Sequence, residues 1–99
     1  MSYVIIIEDK ATEDITEARK WYSQKSDLAA FNLETEIRQN IDSLKNSIIE
    51  HREVKKGVKL LPLKIFPYNI YYRKSEATET IQIIAVLHNK RDQNFILKR

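Results

Sequence analysis

The sequence contains no cysteine. That excludes disulfide scaffolds, thiolate metal sites and cysteine nucleophiles. A single glycine, Gly57, stands in 99 residues, and one glycine cannot build a phosphate-cradling loop. Pro62 and Pro67 are the only prolines, and no linker, repeat or low-complexity tract divides the chain. Nowhere does an apolar run approach the length of roughly 18 residues that a membrane-spanning helix requires. Tyr3 to Ile7 is apolar, but it is shorter than a signal-peptide core and ends at Glu8 and Asp9; the cytoplasm is the expected location. The two histidines, His51 and His88, lie far apart without metal-ligand spacing, and no nucleophile-elbow motif occurs. Neither a metal nor a cofactor is expected.

What is present suits one folded domain over residues 1–99. A hydrophobic fraction of 42% and a charged fraction of 31% are ordinary for a globular chain, and this length supports one core. The net charge of +3 hides an asymmetry. Residues 1–50 carry 6 Lys/Arg against 10 Asp/Glu, and residues 51–99 carry 11 against 4. The second half therefore presents either a basic surface to an anionic partner or a solvated, lysine-rich sheet face.

The β-branched and aromatic run Tyr3–Ile7 reads as a first strand, buried on much of both faces. Thr12 offers an N-cap with Glu13 and Asp14 behind it. Ala11, Ile15, Ala18 and Tyr22 then mark one helix face as far as about Lys25. Ser26 and Asp27 break and re-cap the chain. A second helix is predicted from Leu28 to Ser47, with an apolar stripe of Phe31, Ile37, Ile41, Leu44 and Ile48 interrupted at Glu34. So short a connection folds the two helices back as an antiparallel hairpin. Glu50 to Lys56 leads into the sheet. Val58 to Leu63 is a strand that Pro62 places at an edge or bend, with a turn near Lys64 to Phe66. Residues 66–73 alternate as a half-buried strand, Phe66, Tyr68, Ile70 and Tyr72 on one side. Ser75 to Thr78 is a hairpin loop, and Thr80 to Leu87 has the continuous apolarity of a central strand. The order β-α-α-β-β-β makes an α+β domain, its N-terminal helix hairpin packed on a small, mainly antiparallel sheet.

Few side chains suggest chemistry. His88, where the last strand meets the basic tail, is either an acid/base or anion contact or a polar residue closing a strand end; His51 reads as surface. His88, Lys90 and Arg91, with Arg73, Lys98 and Arg99, compose a candidate basic patch. Tyr68, Tyr71 and Tyr72 are either base-stacking aromatics beside it or core residues with a wet hydroxyl.

Three segments carry a family resemblance. Ala11-x-x-Asp14-Ile15-x-Glu17-Ala18-x-x-Trp21-Tyr22, Phe66-Pro67-Tyr68-x-Ile70-Tyr71-Tyr72 and Ala85-Val86-Leu87-His88-x-x-Arg91-Asp92 resemble the RelE/ParE superfamily, the small toxins of type II toxin–antitoxin modules. The element order matches as well, and the resemblance spans nearly the whole chain. It implies one of two activities. RelE-type members cleave messenger RNA on the ribosome with basic and proton-moving side chains; here these would be His88, Arg91 and Arg73. ParE-type members lack that set and inhibit DNA gyrase. Tyr68 stands where the nucleases commonly carry arginine, and Phe95 near the position where some carry tyrosine. A neutral phenol supplies no fixed charge and a phenyl ring no proton. The ParE branch is therefore expected, with no catalytic residues and with His88, Lys90, Arg91, Lys98 and Arg99 as the target-binding surface. The resemblance further implies a cognate antitoxin whose acidic or amphipathic C-terminal tail complements the basic half, with Trp21, Tyr22, Tyr71 and Arg73 as its contacts. Trp21 sits one residue off the buried helix centreline, so it is either such a contact or a core-boundary residue. An inactive homologue that acts only within the antitoxin complex is the third reading.

Overall fold

The structure, a computed structural model, describes residues 3–91. Strand β1 (Val4–Ile7) leads through Glu8 into helix α1 (Asp9–Ser23), helix α2 (Asp27–Ser43) and a 3-10 turn at Leu44–Asn46. Strands β2 (Glu53–Lys55), β3 (Val58–Pro62), β4 (Tyr68–Ser75) and β5 (Thr80–His88) follow. The sheet order is β1-β5-β4-β3-β2, with β1 parallel to β5 and every other pairing antiparallel. The helix hairpin covers one face of it, where Ala11, Ala18, Leu33, Ile37 and Ile41 meet Ile70, Tyr72, Ile81, Ile83 and Val86. A second buried cluster, Val58, Leu60, Tyr71, Ile84, Ala85 and Leu87, lies on the opposite face. At roughly 1.5–3 kcal/mol per fully buried large apolar side chain, these two clusters are the main stabilising term. The expected α+β order holds, and β2 adds a short strand within the charged segment 50–56.

Local chemistry explains where elements begin and end differently from the sequence expectation. β1 is not buried on both faces: it is the sheet's edge, and Val4, Ile6 and Ile7 are 61%, 42% and 42% exposed. α1 starts at Asp9 rather than after Thr12. Glu8 is its N-cap without a side-chain cap bond, and the Thr12 N–H already donates to the Glu8 carbonyl at 3.0 Å. The early start brings Ala11 fully into the core. Ser26 does re-cap the chain, its Oγ accepting from the Ala29 N–H at 3.2 Å. The stripe of α2 is rotated from the expected one. Ala30, Leu33, Ile37 and Ile41 face inward, whereas Phe31 is 64% and Ile48 95% exposed. The buried acid is Glu36, not Glu34. Its Oε2 accepts from the N–H groups of Lys64 (2.9 Å) and Ile65 (3.0 Å), and its Oε1 from that of Phe66 (3.1 Å). That clamp holds 64–66 as a turn, so β4 begins at Tyr68 and not at Phe66. β4 is also buried on both faces in its first half, through Asn69, Ile70, Tyr71 and Tyr72.

His51 is not a free surface residue. It is half-buried, with Nδ1 hydrogen-bonded to the Tyr72 hydroxyl. Burial lowers the His51 pKa from 6.5, with Glu50 opposing and Lys59 adding to the shift. Burial, then the neighbouring Glu50, pushes Tyr72 up from 10.0 to about 12. Both shifts favour the neutral pair. Below pH 6.5 the unfolded chain binds the His51 proton more readily than the folded one, so stability falls with pH until the lowered folded value is passed. Above pH 10 the unfolded chain releases the Tyr72 proton first, so stability falls again toward pH 12. Thermal melting across pH should show both declines, and Tyr72→Phe should shrink the alkaline one to the part that Tyr68, also raised from 10.0, supplies. An alkaline decline unchanged in Tyr72→Phe would assign it to other groups.

Candidate functional site

The three segments that carry the resemblance converge on one open groove. Its volume is about 410 Å³, and Asp14, Glu17, Ala18, Trp21, Tyr22, Tyr68, Val86, Leu87, His88 and Arg91 line it. α1 supplies one wall. Tyr22 meets the Trp21 and Phe66 rings edge-on at 4.8 and 5.2 Å, and the Tyr68 ring at a tilt at 6.3 Å. Tyr68 in turn meets the His88 ring at 5.4 Å, because the two residues are cross-strand partners. Edge-to-face contacts of this kind fix ring orientation as well as burying area. The Asn89 N–H donates to the Pro67 carbonyl at 2.8 Å and ties the end of β5 to the Phe66-Pro67-Tyr68 turn. Trp21 is half exposed, with the Lys25 ammonium over its ring at 4.8 Å.

A β-bulge aims the β5 side of the groove. Tyr71 pairs with Ala85 but Tyr72 with Ile83, so the register skips Ile84. The extra residue reverses the alternation of everything after it. Ile81 and Ile83 face the helices, Ile84, Ala85 and Leu87 face away, and Val86 returns to the helix side. His88 follows Val86 on that side and so enters the groove. β1 ends at Ile7, and from there onward α1 rather than a strand flanks β5. Asp14 Oδ2 accepts the buried Val86 N–H at 3.1 Å, replacing the missing strand acceptor. Asp14, Glu17 and Ala18 were not among the expected site residues. The available signal was an acid, Asp14, set between Ala11 and Ala18 on the apolar helix face.

The electrostatics limit the chemistry. Burial, then Tyr22 and Glu17, raises the Tyr68 pKa, so its hydroxyl stays protonated at neutral pH. His88 Nδ1 accepts the Lys90 N–H at 3.1 Å. Inferred from that bond, the neutral imidazole carries its proton on Nε2 and offers a donor to a ligand rather than a free base nitrogen. Arg91 supplies a fixed positive charge, whereas Asp14 and Glu17 bring acid to the opposite wall. Such a groove suits a polar, aromatic-containing surface better than a bare phosphate chain. Among the described residues no three His, Asp or Glu side chains cluster as metal ligands would.

Not every expected site residue arrives here. Trp21, Tyr22, His88 and Arg91 line the groove, and Lys90 adjoins it. Tyr71 lies on the opposite face at 1% exposure, its hydroxyl 3.5 Å from the Asn69 amide, which leaves it no contact surface. Arg73 is exposed but five positions along β4 from Tyr68, a distance of about 17 Å at the strand rise. It shares the away-facing parity of Tyr71 and does not join His88 and Arg91. Lys98, Arg99 and Phe95 lie outside the described residues.

Comparison with known proteins agrees with this picture. The model for the ParE toxin of the type II toxin–antitoxin system parDE matches residues 5–93. Among solved structures, the fold is similar to a chain of the chromosomal ParDE toxin–antitoxin system from P. aeruginosa. The TM-score is 0.77 at 18% identity, over 88% of this chain and 96% of that one. No functionally curated protein matches the sequence.

Proposed function

Since the chain belongs to the ParE toxin family of type II toxin–antitoxin systems, we propose that it is a cytoplasmic, non-enzymatic toxin that inhibits DNA gyrase and is neutralised by a cognate antitoxin. The observation that carries the choice of target is the cross-strand pair at the groove. Opposite His88 stands Tyr68, a phenol held neutral, and Arg73 is too far away to supply the missing charge. Cleavage of RNA by its own 2′-hydroxyl needs a base and a concentrated positive charge at the phosphorane. The groove offers one arginine, an imidazole whose Nδ1 is already occupied, and two carboxylates. It fits protein recognition, with Trp21 and Tyr22 as aromatic anchors and His88, Lys90 and Arg91 as a polar rim; Lys98 and Arg99, outside the described residues, complete the proposed target-binding set by sequence. The antitoxin tail would use Trp21 and Tyr22 on the α1 wall. No described helix is long and apolar enough to cross a membrane.

Two assays on the purified chain test this reading. DNA supercoiling by gyrase should fall while messenger RNA on programmed ribosomes stays intact. Arg91→Ala combined with removal of Lys98 and Arg99 should weaken gyrase inhibition at least about tenfold, the loss of roughly 1.4 kcal/mol of contact. Ribosome-dependent cleavage abolished by His88→Ala would establish the ribonuclease reading instead. Activity in neither assay would point to an inactive homologue that acts only with its antitoxin.

A further inference from the structure

The sheet has two edges, and they are protected unequally. β2 is three residues long, carries Glu53 and Lys55, and pairs irregularly with β3; a short, charged, bulged strand is a poor template for pairing. β1 carries none of these devices. Its residues are Val4, Ile5, Ile6 and Ile7, without a charge, proline or glycine. The N–H groups of Val4 and Glu8 donate inward, to Glu79 and Ile83, so the backbone groups of Ile5 and Ile7 point outward by strand alternation. Among the described residues they have no hydrogen-bond partner. Beside this edge lies an apolar groove of about 350 Å³, floored by Ile5, Ile7, Ile15, Ile37 and Ile41.

We infer that this face is a two-fold interface with a second copy of the chain. The charges on its rim choose that occupant. Glu34, Arg38, Asp42 and Lys45 border the groove and alternate in sign along α2 and the turn that follows it. Arg38 pairs with Glu34 and Lys45 with Asp42, each at 3.5 Å. Read backwards, the row has opposite signs, so two antiparallel copies place Glu34 against Lys45 and Arg38 against Asp42. A partner of one charge sign gains nothing from such a row, whereas a copy of the same row is complementary along its length. The row also reaches the edge itself: the Tyr3 N–H donates to the Lys45 carbonyl at 3.2 Å. With Tyr3 already engaged, the pairing that uses the free groups sets Ile5 against Ile7 of the second copy, and Ile7 against Ile5. The two-fold axis then passes through Ile6, whose copies meet as a close, non-hydrogen-bonded pair. The two sheets become one continuous sheet, and each apolar groove is covered. This groove shares no lining residue with the Tyr68–His88 groove.

Sedimentation velocity of the full chain over a concentration series tests the inference. The wild type should pass from monomer to dimer at micromolar concentration. Ile6→Lys sets two lysines against each other at the axis and should weaken association at least roughly tenfold; its melting temperature confirms folding, since the Ile6 side chain already meets solvent. Arg38→Glu should weaken association likewise, and Arg38→Glu with Asp42→Arg should restore it. A wild type that stays monomeric throughout the series overturns the proposal, and so does a dimer insensitive to both Ile6→Lys and Arg38→Glu. Edge amides of Ile5 and Ile7 that gain exchange protection only when an antitoxin tail peptide is added would assign the surface to the antitoxin.

Discussion

Glu36→Ala should lower the folding stability of this protein by about 3–4 kcal/mol, a large fraction of what a domain of this size has. The carboxylate accepts three successive backbone N–H groups, from Lys64, Ile65 and Phe66, and is itself 8% exposed. Hydrogen bonds to a charged acceptor contribute roughly 1.5–3 kcal/mol each. The full sum is not reached, because the turn is solvent-facing at Ile65 and water replaces part of the loss. A drop of this size should reduce the melting temperature by more than about 10 °C. Glu36→Gln should recover little, since an amide facing three donors keeps one acceptor oxygen and turns its own N–H groups toward another N–H. Glu36→Asp is one methylene short of the turn. Denaturant unfolding gives the stability, and amide exchange at 64–66 shows whether the loss is local. Wild-type stability with fast exchange at those amides would make Glu36 a loop clamp rather than a support of the fold. In either case Phe66 and Tyr68 lose their fixed positions, and the groove loses a wall.

The sequence exposes part of this design and conceals the rest for identifiable reasons. Helix existence, the hairpin and the central strand β5 are legible because apolar spacing reports burial directly. The rotation of α2 is not. Ala30 and Leu33 form the true stripe with Ile37 and Ile41, but an alanine is a weak hydrophobic signal, and the larger Phe31 next to it draws the pattern one residue away. β1 misleads in another way: four β-branched residues look the same in a centre strand and at an edge, and only the neighbour's identity decides. β2 is hidden because a short edge strand is selected to be charged. At the groove, aromatic and basic residues were legible as three motifs, and their convergence follows from the Tyr68–His88 pairing. The role of Asp14 was hidden, since it depends on a bulge inside a continuous apolar run. Nothing in Thr80–Leu87 marks Ile84 as the extra residue.

That bulge supplies the second large effect. Asp14→Ala should cost about 2–3 kcal/mol, the penalty for leaving the buried Val86 N–H without an acceptor and losing a charge-assisted bond. The site offers little relief. Val86 is 1% exposed, β1 has already ended, and β4 already pairs with β5 from the other side through Ile70. Asp14→Asn keeps an acceptor oxygen of the same reach and should recover about half of the loss. The two variants also separate stability from function. Val86 and His88 face the groove only because the strand is re-phased after Ile84, and Asp14 is what holds that stretch against α1. If the bulge depends on this bond, the His88 ring resonances should shift in Asp14→Ala at temperatures where the chain remains folded. Groove-dependent activity should then fall by more than the folded fraction does. Unshifted His88 resonances with normal activity per folded molecule would show that β4 pairing alone sets the bulge, leaving Asp14 a purely stabilising role.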